Sequence, residues 1–285
     1  MSVTTPIVDF VRRYAQSGTS RLHMPGHKGQ KILGFEPWDI TEISGADELY
    51  EAEGIIAESE ANATKLFGTA HTFYSTEGSS QCIRAMLFLA LQAAPKTGGR
   101  PVLLAARNAH KALLYAAALL DFDIRWLWPA QKDAGALCSC PVSAGQLKQT
   151  LQEMEQQGKK PFGVYVTSPD YLGGVQDIAA LAGVCNASGV PLLVDNAHGA
   201  YLRFLPQGPG HPIALGAAMC CDSGHKTLPV VTGGAYLHLG ENAPVQDEIA
   251  VRNALALFGS TSPSYLILQS LDQCNRILSE GYPLR

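Results

Sequence analysis

The chain has 285 residues, 46% hydrophobic and 16% charged, with a formal net charge of −4. That is enough apolar material for one large α/β core or two smaller domains. Lys and Arg are scattered and outnumbered by acids, 21 to 25, so no basic face for nucleic acid is expected. The apolar runs fall far short of the roughly 20 residues a membrane helix needs, and the stretch from Met1 to Arg13 lacks the apolar centre of a signal peptide. The expectation is a cytoplasmic enzyme with no membrane or nucleic-acid partner. Cys138/Cys140 and Cys220/Cys221 lack CxxC spacing, so neither a disulfide nor a metal is assigned.

Thr5-Pro6, apolar residues at helical spacing and Gly18 predict a short first helix. In Arg21 to Gly29, Pro25-Gly26 separates His23 from His27 and makes a turn, either a plain polar loop or one that contacts a ligand. Residues 36–60 are acidic and weakly periodic and read as a solvated face or connecting arm. A helix follows, ending at Gly68. Ser75-Thr76-Glu77-Gly78-Ser79-Ser80-Gln81 then leads into apolar residues at 83, 86, 87, 90 and 91, the pattern of a helix burying one face. Its start is either an ordinary serine cap or an anion site, where free N–H groups and the positive dipole end face a ligand. No GK[ST] follows, so it is not a P-loop.

From Arg100 the spacing predicts strands over 101–106, 123–128, 163–169, 191–197 and 213–221, with helices between them. Arg107 to Lys111 opens one helix, 143–158 forms another, and Asp177 starts a third. A short strand over 235–239 and two closing helices complete the chain. Near-continuous apolar strands of this kind are buried on both faces, as in a parallel sheet. Polar residues gather at their C-terminal ends: His110, Thr167-Ser168, Asp195 and His198, then Ser223, His225 and Lys226. That is where open α/β sheets hold ligands.

Lys226 alone reads as a loop lysine or as a lysine able to condense with a carbonyl. Asp195-Asn196-Ala197-His198 reads as a strand-end turn, half of a metal site, or part of a cofactor site. As a set, a lysine for an aldehyde, a helix start for a phosphate, a carboxylate for a ring nitrogen and an imidazole for a ring face match pyridoxal 5′-phosphate. A buried Asp195 is further expected to need a cationic partner.

The motifs together resemble the Orn/Lys/Arg decarboxylase family, in particular its shorter arginine and lysine decarboxylases. They run end to end: Thr5-Pro6-Ile7, His23 to Gly29, Asp39 to Glu42, Ser75 to Ser80, Arg107 to Lys111, Asp195 to Ala200, Ser223 to Pro229 and Thr261 to Tyr265. The resemblance implies a three-layer α/β/α fold with a mostly parallel sheet, the large domain of aspartate-aminotransferase-like enzymes. It implies an N-terminal helix and arm over 1–60 and a cofactor-binding large domain over 61–285; the small C-terminal domain that follows in family members is expected to be absent here.

By the same resemblance Lys226 binds the cofactor aldehyde, Asp195 pairs with the ring nitrogen, and His110 stacks on the ring. Gly78, Ser79 and Ser80 hold the phosphate, supported by Ser223 and His225, while Thr167 and His198 line the ring. Decarboxylation of arginine, lysine or ornithine, a role in polyamine synthesis and a homodimer with a shared active site are implied, with Thr261 to Ser264 reaching a neighbour's phosphate. Another reaction of the same fold type, or a non-catalytic fragment that binds cofactor or dimerises, remains the alternative. Glu42, Asp47 and Glu77 are candidates to meet a substrate's distal cation.

Overall fold

The computed structural model describes residues 3–96, 99–130 and 135–281. Its framework is a seven-stranded sheet of β1 (His71–Ser75), β2 (Val102–Ala106), β3 (Asp123–Leu127), β4 (Gly163–Thr167), β5 (Leu192–Asp195), β6 (Met219–Asp222) and β7 (Ala235–Leu239). The order across the sheet is β1-β7-β6-β5-β4-β2-β3. β6, β5, β4, β2 and β3 are parallel neighbours, whereas β7 runs antiparallel to both β6 and β1. The mostly parallel sheet expected from the apolar strands is the one observed.

Strand alternation sorts the core into layers. Leu103, Ala105, Tyr165, Leu193 and Cys221 pack on one face with α3 (Ser79–Ala93), α4 (Lys111–Leu120) and α8 (Glu248–Leu257). Leu104, Val164, Val166, Val194 and Cys220 pack on the other with α5 (Ala144–Gln156) and α6 (Ile178–Ala187). A third cluster joins Tyr74 and Tyr236 to α1 (Pro6–Gln16), α2 (Ile55–Phe67) and α9 (Tyr265–Ser279). The result is a three-layer α/β/α arrangement.

Three expectations need correction. The strand expected over 213–221 begins only at Met219, because a 3-10 turn over Ile213–Leu215 and Gly216 at φ 96° interrupt the apolar run. β1 was not anticipated, since a five-residue run of mixed polarity carries little signal; pairing along its whole length with β7 supplies the order. The acidic stretch is not uniformly solvated. Glu36 is buried and accepts hydrogen bonds from the Leu33 and Gly34 amides. Glu60 is buried, accepts from the Tyr74 amide at 2.8 Å and pairs with Arg252 at 2.6 Å. Burial pushes the Glu60 carboxyl up to about 6, against the opposing pull of Arg252. Asp47 accepts from the amides of Glu53, Gly54 and Ile56 and so fixes the entry to α2.

The N-terminal helix is tied down by Asp272 on α9. Its Oδ2 accepts from the Val8 amide at 2.9 Å and its Oδ1 from the Ser59 hydroxyl at 2.6 Å. Burial raises this carboxyl to about 6, despite the hydrogen bonds that favour its ionised form. The folded state therefore holds the proton more tightly than the unfolded chain, whose Asp titrates near 3.9. Stability from this group is full below about pH 4 and is lost as pH rises through about 6, by roughly 3 kcal/mol at most. Urea midpoints of wild type relative to Asp272→Asn, measured from about pH 4 to 8, are expected to decline across that window. A difference that stays flat or rises would contradict the assignment.

Candidate functional site

The site assembles at the C-terminal ends of β4, β5 and β6, against the start of α3. Parallel pairing sets the levels: Thr167 lies opposite Asp195, and Asp195 opposite Cys221. Asp222 therefore ends β6 one residue further along, and the chain turns at once into Ser223 and the short helix α7 (Gly224–Thr227). Lys226 was expected on a turn; it sits in this single helical turn, on the exposed side.

Gly78 adopts φ 70°, a left-handed conformation suited to glycine, and anchors its amide on the Gly233 carbonyl at 2.8 Å. Among the described residues no side chain caps α3, and no acid lies in its first turn. The helix thus presents free amides at Ser79 and Ser80, the geometry that receives a phosphate. The Ser223 hydroxyl donates to Ser79 Oγ at 2.8 Å, joining the lysine-bearing turn to this helix start. Gln81 fixes the same corner, accepting from Ser75 Oγ at 2.5 Å and donating to Tyr50 Oη and the Leu255 carbonyl, each at 2.8 Å.

Lys226 Nζ lies 3.2 Å from His198 Nε2. Burial and the neighbouring lysine lower the His198 pKa, so the neutral ring accepts from the ammonium through Nε2. Its Nδ1 is buried and has no partner among the described residues, and the same holds for the hydroxyl of Thr167 at the end of β4. These orphaned polar atoms beside an open anion site are what a polar cofactor would complete, so the residues present fit pyridoxal phosphate.

Asp195 is buried, accepts from the Tyr165 hydroxyl at 3.0 Å and from the Ala197 amide at 3.2 Å. The Cys221 thiol is a third donor, at 3.8 Å from Oδ1, and among the described residues no side-chain cation pairs with this carboxylate, where one was expected. Tyr165 was missed in the sequence; its signal is an aromatic hydroxyl inside the otherwise aliphatic run of β4. Asn196 was named only within the Asp195–His198 turn and given no role of its own, and Asp222, His211 and His238 were given none, although each is a polar residue in or beside a buried strand.

The other expected residues divide. His110 stands at the start of α4, its Nδ1 accepting from the Ala112 amide at 3.2 Å, with the ring exposed. His225 turns to the backbone, its Nδ1 lying 3.1 Å from the Gly234 carbonyl. Thr261 to Ser264 lie ahead of α9, apart from any hydrogen bond to the strand-end residues among the described contacts. Of the candidate acids, Asp47 is committed to backbone amides and Glu42 bonds Thr41, while Glu77 is exposed next to Gly78.

Comparison with known proteins agrees with this architecture. Residues 5–282 match the model of the Orn/Lys/Arg decarboxylase major domain, and the chain belongs to that family. It is 29% identical to the uncharacterised protein YaaO of Bacillus subtilis (strain 168), over 95% of this chain and 56% of that one. It is 28% identical to an arginine decarboxylase of the same organism, over 98% of this chain and 57% of that protein. The chain thus spans little more than half the length of these relatives. The Francisella novicida lysine decarboxylase LdcF shares the fold with a TM-score of 0.79 and 21% identity, covering 97% of this chain and 40% of that one.

The turn after β5 leaves no room at Gly199, where an added Cβ would lie 2.1 Å from Asn196 Oδ1 and 2.5 Å from Pro169 Cδ. Gly199→Ala is expected to cost about 1–3 kcal/mol of stability by overpacking, read from urea unfolding. An unchanged midpoint would show that the turn carrying His198 is looser than the structure has it.

Proposed function

We propose that this chain binds pyridoxal 5′-phosphate at the ends of β4, β5 and β6 and forms the catalytic core of a decarboxylase for a basic amino acid. Membership of the Orn/Lys/Arg decarboxylase family supports the reaction class. The observation that carries the cofactor reading is the joining of three requirements at one place. An exposed lysine amine sits beside neutral His198, its turn is bonded through Ser223 to the uncapped start of α3, and Asp195 ends the adjacent strand.

Bound pyridoxal phosphate supplies an electron sink for the carbon that loses CO2. The chain's own groups do the rest. The amides of Ser79 and Ser80, with the Ser79 and Ser223 hydroxyls, bind the phosphate. Asp195, oriented by Tyr165 and Ala197, keeps a proton on the ring nitrogen. His110 covers a ring face, and Thr167 and His198 offer polar contacts at its edge. Lys226 holds the cofactor's carbonyl carbon, and its proton can pass to and from His198 Nε2. The amine product keeps every atom of the substrate except CO2, which a proton at the same carbon replaces. Arginine, lysine or ornithine as substrate, a link to polyamine synthesis, a cytoplasmic setting and a homodimer in which Thr261 to Ser264 approach a partner's phosphate complete the reading. Exposed Glu77 is the free acid nearest the anion site in sequence and the first choice to meet a cationic substrate end.

Purified protein mixed with pyridoxal phosphate is expected to show the visible absorption of lysine-bound pyridoxal, and Lys226→Ala to lose it. Lysine, arginine and ornithine would then be supplied in turn and CO2 followed, with release from one of them expected. A cofactor band without CO2 from any of the three would contradict decarboxylation and favour another reaction of this fold. No band at all would contradict the cofactor site.

A further inference from the structure

A buried polar cluster lies directly behind the site, on the opposite face of the sheet from Asp195. Asp195 shares the face of Leu193, and Asp222 that of Cys220. Asp222 is fully buried, with Oδ2 3.1 Å from His211 Nε2 and 3.3 Å from His238 Nε2. His238 is held in turn by Thr72 Oγ1 at 2.8 Å on its Nδ1. Burial raises the Asp222 carboxyl, but the two histidines outweigh it and hold the group well below the usual carboxylate range. Asp222 therefore stays ionised within an apolar shell that includes Phe67, whose ring centroid lies 4.5 Å from that of His238. Cys220 Sγ lies 3.8 Å from His211 Nε2, the same ring nitrogen that faces Asp222 Oδ2 at 3.1 Å.

The cluster reaches the site through one residue. Asp222 Oδ1 accepts from Asn196 Nδ2 at 2.6 Å, a charge-assisted bond in a dry setting. Asn196 lies next to Asp195 and two residues before His198. Its amide donates to the Cys221 carbonyl at 3.0 Å, and its carbonyl accepts from the Gly199 amide at 2.8 Å. On the other strand, Asp222 is adjacent to Ser223, the residue bonded to Ser79. One carboxylate thus links the turn that follows Asp195 to the turn that carries Lys226.

We propose that Asp222 is a positioning residue: through Asn196 it fixes the spacing between Asp195 and His198 on one side and Ser223 and Lys226 on the other. Its histidine partners keep the carboxylate ionised and correctly oriented, so that one rigid bond sets the separation of the cofactor's ring and aldehyde contacts. This rests on the cofactor reading above. The same link explains why a charge is kept in the core, where an apolar residue of similar size would avoid the cost of desolvation.

The test is a comparison of Asn196→Ala, Asp222→Asn, their double variant and Leu151→Ala, a core truncation under α5. Each is examined for its urea midpoint, its dissociation constant for pyridoxal phosphate, and the visible circular dichroism of the bound cofactor. Both site-side variants are expected to weaken cofactor binding about tenfold, the low end of the cost of losing an outer hydrogen-bond partner at a ligand site, and to change the visible dichroism. The double variant is expected to lose little more than either single one, because the two residues act as one unit. Leu151→Ala is expected to lower the midpoint while leaving both cofactor readouts unchanged. Asn196→Ala keeps the carboxylate with its histidines and serves where Asp222→Asn fails to fold. Site-side variants that lose stability but bind cofactor with wild-type affinity and dichroism would overturn the positioning role alone. Wild-type protein that binds no pyridoxal phosphate would overturn the functional reading and the positioning role with it.

Discussion

The hydrogen bond from Ser223 Oγ to Ser79 Oγ, at 2.8 Å, is the constraint on which the site depends. It couples the end of β6 to the start of α3, two elements separated by most of the domain in sequence. A helix start alone is a weak anion site, and a lysine on a strand-end turn is usually solvated surface. Held together, the free amides of one and the amine of the other can engage two ends of a single ligand. The bond forms only because α3 packs across the sheet on the face shared with Cys221 and Leu237, which places its first turn over the ends of the parallel strands.

The sheet then works as a two-sided mount. On the α3 face, Asp195 meets Tyr165 and the Ala197 amide. On the reverse face, Asp222 meets His211, His238 and Asn196. Strand pleating directs neighbouring positions to opposite faces, so residues that touch a ligand can be braced by residues that never see it. Buried ionisable groups recur throughout this structure: Glu60 with Arg252, Asp272 with Ser59 and Val8, and Asp222 with its histidines. The first two join segments distant in sequence, and the third joins the end of β6 to β7 and to the turn before β6.

Much of this was legible in the sequence, and the reasons differ by element. The helices of the α/β region carry full amphipathic periods and clear starts, such as Ser143, which caps α5 by accepting from Gln146 N, and Asp177, which caps α6. The strands announce themselves by aliphatic runs, and their order in the sequence puts Asp195, His198 and Lys226 at the same end of the sheet. β1 was missed because its order comes from pairing with β7, an interaction no local pattern encodes. The acids at 36, 47 and 60 were read as solvated because composition does not show how a loop turns: Glu36 and Asp47 are held by backbone amides nearby in the chain, and Glu60 by Arg252 far along it. Tyr165 was passed over inside the apolar strand β4, although a lone polar group in such a strand must find a partner, and its partner Asp195 belongs to the site; Asp222, just past the run expected over 213–221, was given no role.

Lys226, and no other lysine, is proposed to receive the cofactor. The most direct measurement is borohydride reduction of the protein incubated with pyridoxal phosphate, followed by peptide mass spectrometry. Reduction makes the lysine–pyridoxyl linkage permanent, so the modified residue can be read from the fragment masses. A single phosphopyridoxyl group is expected on the peptide containing Ser223-Gly224-His225-Lys226, located at Lys226. Modification spread over exposed lysines, or confined to a different one, would contradict it.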